Sequence, residues 1–256
     1  MIGFGVLTRK ELLESWRTYR LPVVAGLFLV IGILSPLTAR FLPEIVKAAA
    51  GDQLGNLGLP PPVPADAADQ LWKNLAQFGA FVAIILAMGA VSVERDRGTA
   101  AFVLVKTSSR GGFIGAKVLA IGILLGLAIA IAVVVGWIYT TILFEPMSPG
   151  GWAAMAVLAW LSVSAWAAIT FLGSTVTGST AAAAGIGFAS LIGLSLVSAI
   201  PNVGRFTPGG LTTPALALAT GQPVDPTDLV VPVVSTVILI AVTVGISAWS
   251  FARQEV

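Results

Sequence analysis

The chain has 256 residues, of which 57% are hydrophobic and only 10% charged, with a formal charge of +2. A soluble domain carries about a quarter charged residues, and several uncharged runs here exceed the roughly 18 residues that cross a bilayer, so the composition is that of an integral membrane protein. Cysteine and histidine are both absent, which excludes disulfides and thiolate metal sites and removes the commonest general base and metal ligand.

Residues 1–20 read as an amphipathic helix lying in the headgroup region. Thr8-Arg9-Lys10-Glu11 has capping-box spacing, with Thr8 as N-cap and Glu11 reaching back from the third helical position. Leu12, Leu13, Trp16 and Tyr19 fall on one face, opposed by Arg9, Lys10, Arg17 and Arg20. Trp16 and Arg17 are the interfacial anchors of this helix. The 14-residue apolar run 21–34 follows without a small-x-small cleavage site, so it reads as the start of a span rather than as a cleaved leader.

The first span covers about 21–41. A polar excursion then runs from Arg40 to Lys73, where Pro43, Pro60, Pro61, Pro62 and Pro64 stop helices and favour extended chain. Ala65-Asp66 opens a fresh helix, and the second span is 75–93. The third, 113–144, is longer than the bilayer requires. Residues 145–151 are a turn by composition. From Trp152 to Gly204 no residue is charged, and the polar cluster 173–180 divides this stretch into spans at about 152–173 and 181–200. Thr213-Pro214 starts a short apolar helix that Gly221 ends. Asp225-Pro226 then supplies an N-cap and a first-position proline for the sixth span, about 229–252.

Between spans two and three lies a charged island, 94–117. It reads Glu94-Arg95-Asp96-Arg97-Gly98-Thr99, then apolar residues including Phe102-Val103-Leu104, then Lys106, Arg110 and Lys117. Five cations and two acids fall in these 24 residues, while the apolar stretches on either side of them carry no charge. Basic loops are ordinary topology determinants. A loop serving only topology has no need of four consecutive apolar residues from Phe102 to Val105, whereas a short helix pressed into a partner's groove does. With both termini cytoplasmic, ten of the 14 cations fall inside, which places the island in the cytoplasm.

No span centre carries an ionisable residue, so the groups that proton- or sodium-coupled pumps place within the membrane are missing. There is no acid–base pair or metal site at depth for catalysis. No Walker A pattern occurs, so the chain is not an ATPase and any ATP belongs to another polypeptide. Gly122-x-x-x-Gly126 and Gly185-x-x-x-Ala189-x-x-x-Gly193 let helix backbones approach closely, either within one bundle or between subunits. Trp137, Trp152, Trp160, Trp166 and Trp249 suit belt or core packing better than a substrate path.

The island resembles the signature of ABC-2-type transporter permeases. In that family the second span exits as an acidic-x-acidic-x-Gly-Thr stretch, followed by an apolar turn, a Pro-x-Ser-Arg element and a Lys opening the third span. Glu94, Asp96, Gly98, Thr99, Ser109, Arg110 and Lys117 match, and Thr107 stands where proline is usual. Arg9-Lys10-Glu11-Leu12 with Arg17 is similar to the family's opening Lys-Glu-Leu helix, and 214–220 resembles its external re-entrant element.

The resemblance implies one all-α permease domain over 1–256. It has six transmembrane helices, an N-terminal interfacial helix, a cytoplasmic coupling helix between spans two and three, and a short external re-entrant helix between spans five and six. It implies a multi-pass protein of a prokaryotic cytoplasmic membrane that exports substrate as a homo- or heterodimer with cytoplasmic ABC ATPase subunits. ATP and magnesium sit on the ATPase, and no cofactor, metal or nucleic acid is bound by this chain. The expected coupling interface is Glu94, Arg95, Asp96, Arg97, Gly98, Thr99, Phe102, Val103, Leu104, Arg110 and Lys117. Two other readings remain: an ion-gradient-driven secondary transporter, and a membrane anchor or mechanical transmission subunit for a maturation system.

Overall fold

The computed structural model describes residues 2–50, 60–96 and 110–253, and among them every regular element is helical. The elements are α1 (Ile2–Arg17), α2 (Arg20–Ala50), α3 (Pro64–Met88), the short α4 (Ser92–Asp96), α5 (Arg110–Leu143), α6 (Pro149–Thr177), α7 (Thr180–Ser198), α8 (Thr212–Ala219) and α9 (Pro226–Arg253). Helices α2, α3, α5, α6, α7 and α9 are long and apolar enough to cross a membrane. They are spans one to six. Phe4 lies beside Gly115 and Phe251 stacks on Phe113, so both ends of the described chain sit at the start of span three.

Several helix boundaries differ from expectation. Helix α1 begins at Ile2, so Thr8 lies inside it, and its hydroxyl donates to the carbonyl of Phe4 rather than capping the helix. Helix α2 runs through Pro36 and Pro43 to Ala50, past the point where proline was expected to stop it. Each proline removes a backbone hydrogen bond; Phe28, Ile31 and Ala39 pack the helix on both sides of Pro36, whereas residues 41–48 are exposed or half-buried, and the turns past Pro43 continue without such packing. Span two begins at Pro64, where the Asp66 carboxylate accepts the N–H of Val63 at 2.8 Å. The cluster 173–180 is mostly the last turn of α6. Gly178 ends that helix at φ 65, and Ser179 caps α7 by accepting the N–H of Ala182. The expected start of span six holds: Asp225 accepts the N–H of Thr227 at 2.7 Å, and that bond draws its carboxyl below the ordinary range.

Lipid tails are as apolar as leucine, so close packing and internal hydrogen bonds hold the spans together. Span four is the centre, packed against spans two, three, five and six and against α8. Trp152, Met155, Val163, Trp166 and Phe171 bury its sides. Spans one and two are joined at depth where Asn74 donates to the Ser35 hydroxyl at 2.8 Å. Trp72 donates to Thr212 at 3.0 Å, holding α8 at the end of the bundle away from α1. The Gly122–Gly126 pair faces Trp160 of span four, whose indole N–H donates to the Gly122 carbonyl at 2.8 Å. That spacing therefore serves packing within the bundle.

Spans one and three meet most closely at Gly32, where an added Cβ would lie 2.6 Å from the Ala132 carbonyl oxygen. Backbone cannot yield as a side-chain tip can. Gly32→Leu is expected to cost at least the roughly 1–3 kcal/mol typical of overpacking, read as a lowered unfolding midpoint in detergent. Gly26→Leu, on the same helix with nothing within 4 Å, should leave the midpoint unchanged.

Candidate functional site: a buried ion-pair network at the island

The island's two ends, the exit of span two and the entry of span three, are tied to α1 by charge. Lys117, on the second turn of α5, is only 4% exposed. Its ammonium lies 2.8 Å from Glu94 Oε1 and 3.1 Å from Glu11 Oε2, over the Phe113 ring at 5.0 Å. Lys10 joins from the rim, 3.3 Å from Glu11, 3.4 Å from Glu94 and 3.6 Å from Glu14. The three carboxylates offer oxygens within 4.8 Å of one another. Two ammonium groups supply the positive charge that such a cluster requires.

This arrangement follows from the pitch of α1. Thr8, Glu11, Leu12 and Ser15 turn towards the protein, while Leu13, Trp16 and Tyr19 are exposed together, as a lipid-facing side requires. Tyr19 has φ 59, a left-handed conformation costing roughly 1–2 kcal/mol. It makes the turn from α1 into span one, and the network and packing of α1 offset that cost. Glu11 was expected to reach back to the N-terminus of its own helix; its carboxylate instead meets Lys117, 106 positions along the chain.

Burial alone would lower the pKa of Lys10, but the attraction of Glu11, Glu94 and Glu14 outweighs it and holds the ammonium above its ordinary 10.5. A group raised in the folded state contributes stability below its unfolded value and loses it as pH climbs through the folded one. The Lys10 contribution is therefore present at neutral pH and is lost as pH climbs through the raised value in alkali.

The exit of span two is pinned from the other side as well. The Ser174 hydroxyl accepts the N–H groups of Val91 and Ser92 at 3.2 and 3.1 Å, and Ser92 shares a 2.9 Å bond with Thr180. Between the network and the spans lies a cavity of about 470 Å3, lined by Arg20, Leu86, Gly89, Val93 and Ile121 among others.

Of the expected interface residues, the structure brings Glu94 and Lys117 together. Arg95, Asp96 and Arg110 are placed as backbone, at the end of α4 and the start of α5. Arg97, Gly98, Thr99, Phe102, Val103 and Leu104 lie outside the described residues. Trp16 and Arg17 are exposed at the end of α1. Lys10, Glu11 and Glu14 complete the site but were not among the expected residues. Their one sequence signal was a helix carrying acids beside its basic face, next to a membrane span.

Residues 6–217, from α1 into α8, match the family described as ABC-2 family transporter protein. The chain belongs to that family. An uncharacterized transmembrane protein of Bacillus subtilis (strain 168), YxlG, is 28% identical over 207 residues, covering 79% of each chain. Within this ABC-2 family member, the residues that carried the resemblance at Glu11, Glu94 and Lys117 are the ones whose charges meet.

Proposed function

We propose that this chain is the membrane subunit of an ATP-driven exporter, worked through the island by a separate ATPase that binds the ATP and magnesium. The observation that carries this reading is the network itself. A loop needed only for topology has no reason to bury a lysine between glutamates of two other segments, because desolvating such charges is costly. A loop that must be pushed without being deformed does. The cationic excess on the side of the termini supports a cytoplasmic position for that side, where an ATPase would reach it.

The purified chain is expected to hydrolyse no ATP by itself and to gain substrate-stimulated hydrolysis when co-expressed with its ATPase. Flux into proteoliposomes driven by a proton or sodium gradient without ATP would overturn the reading in favour of a secondary transporter. Partner hydrolysis indifferent to substrate and to island substitutions would make the chain an anchor.

Two copies, or this chain and a paralogue, would form the pathway between them. Span five supports this: only 11% of its apolar stretch is buried, against 61% for span four. Gly185 and Gly193 have open space around them, flanked by exposed Phe188, Ile192 and Leu196. Single cysteines at Gly185 or Gly193, in a chain that has none, are expected to crosslink between subunits in membranes. Absence of crosslinking along the whole of this face, and along spans one and two, would refute the pairing.

A further inference from the structure

A second cavity, of about 760 Å3, opens between spans three, four and six. Small residues, Gly122, Gly126, Ala168 and Ala241, contribute to its lining, and the rest is aliphatic apart from Trp160, Phe171 and Ser164. The indole N–H of Trp160 is already spent on the Gly122 carbonyl, and the Ser164 hydroxyl, though it has no hydrogen-bond partner among the described residues, is itself buried, so the groove exposes little polar surface. Along span three it runs from Val118 to Leu127. At 1.5 Å per residue that is about 14 Å, roughly half of the ~30 Å hydrocarbon thickness.

Its depth is fixed by its neighbours. Lys117 of the ion-pair network immediately precedes Val118, and the Phe113–Phe251 stack, with centroids 5.4 Å apart, holds spans three and six together just outside the groove. The groove thus occupies the leaflet on the side of the termini and stops near the midplane. A transmembrane helix of another subunit would need a seam along the whole bilayer. Span five, which packs on spans two and four, offers an open face elsewhere for that purpose. A cleft one leaflet deep, apolar apart from the buried Ser164 hydroxyl and lined in part by small residues, has the shape and chemistry of a slot for hydrocarbon.

We propose that this groove binds an acyl chain of a phospholipid from the leaflet on the side of the termini, and holds it as a bound lipid rather than as freely exchanging solvent. The chain fills the wedge between spans three and six and completes the packing around Trp160. This inference does not depend on the transport reading.

Trp160 is 39% exposed and reports on the groove. The full-length protein would be reconstituted with phosphatidylcholine brominated along its acyl chains, and the fluorescence of Trp160→Phe subtracted from that of the unmodified protein. Quenching of the Trp160 component is expected to saturate at a low fraction of brominated lipid, while the other tryptophans are quenched in proportion to it. Native mass spectrometry should find phospholipid retained by the unmodified protein through delipidation and lost from Ala241→Phe, which fills the groove. Ile192→Phe, on exposed span five, should retain it.

A Trp160 component quenched only in proportion would mean ordinary annular lipid and overturn the proposal, as would retention unchanged in Ala241→Phe. Disulfide-linked dimers from Leu119→Cys, whose side chain lines the groove, would show a second protein copy there and overturn it too. If Ala241→Phe fails to fold, the quenching curve decides by itself.

Discussion

Lys117→Ala is expected to destabilise the protein by about 3 kcal/mol or more, the order found when one partner of a buried ion pair is removed. The substitution takes the buried ammonium away from Glu11 and Glu94, and Lys10, which also meets both carboxylates, is a half-exposed rim cation. Lys10→Ala removes that rim cation alone and should cost no more than about 1 kcal/mol, as exposed pairs do. Unfolding midpoints in detergent separate the two. Because the penalty comes from uncompensated charge, neutralising the set together, as Glu11→Gln with Glu94→Gln and Lys117→Met, should recover much of the loss. Equal midpoints for Lys117→Ala and Lys10→Ala would show that the network bears no stability. The neutralised triple variant also tests the functional reading. It should fold and bind the ATPase, yet show weaker stimulation of hydrolysis by substrate, since α1 is no longer tied to the island.

Phe102→Ala is expected to release the ATPase, or to uncouple its hydrolysis from transport, while the membrane fold survives. Burying one aromatic and one aliphatic side chain in a partner's groove contributes a few kcal/mol at about 25 cal/mol per Å2. Phe102, Val103 and Leu104 are the residues of the island able to supply it. The charges around them, Arg95, Arg97 and Arg110, would set register and orientation, because rim charges steer association more than they hold it. Gly98 would allow the turn in which the chain leaves span two. Arg97→Ala should therefore do much less than Phe102→Ala. Co-purification of the ATPase with each variant, alongside substrate-stimulated hydrolysis, makes the comparison. Parental behaviour of Phe102→Ala in both assays would reduce the island to a topological loop.

Much of the architecture was legible because the bilayer imposes simple demands. A segment crossing hydrocarbon must satisfy its own backbone and be apolar for about 20 residues, so six runs without charge become six helices wherever they fall. The cap at Asp225-Pro226 was equally readable, since both its donor and its acceptor lie within three residues. Proline was a poorer guide. Pro43 was read as a stop, yet α2 passes through it, since a proline removes one bond of the ladder and need not end a long helix already formed before it. The polar run 173–180 was read as a divider and does divide spans four and five. Its Ser174 and Thr180 also grip the exit of span two, a use that depends on residues more than 80 positions away.

The amino-acid sequence alone determined the class of this protein, the number of its spans, the side on which its charge gathers and the family signature at the island. These are properties of composition and of neighbours a few residues apart. The tertiary structure decided where the charges point. Glu11 fits a capping box by spacing, Glu94 and Lys117 fit a partner-facing loop, and nothing local distinguishes a solvated carboxylate from one that meets a lysine 106 positions along the chain. That distinction belongs to packing: α1 lies against the start of span three with Glu11 inward and Trp16 outward. In that position leaving either Glu11 or Lys117 unpaired would be costly, and each meets opposite charge.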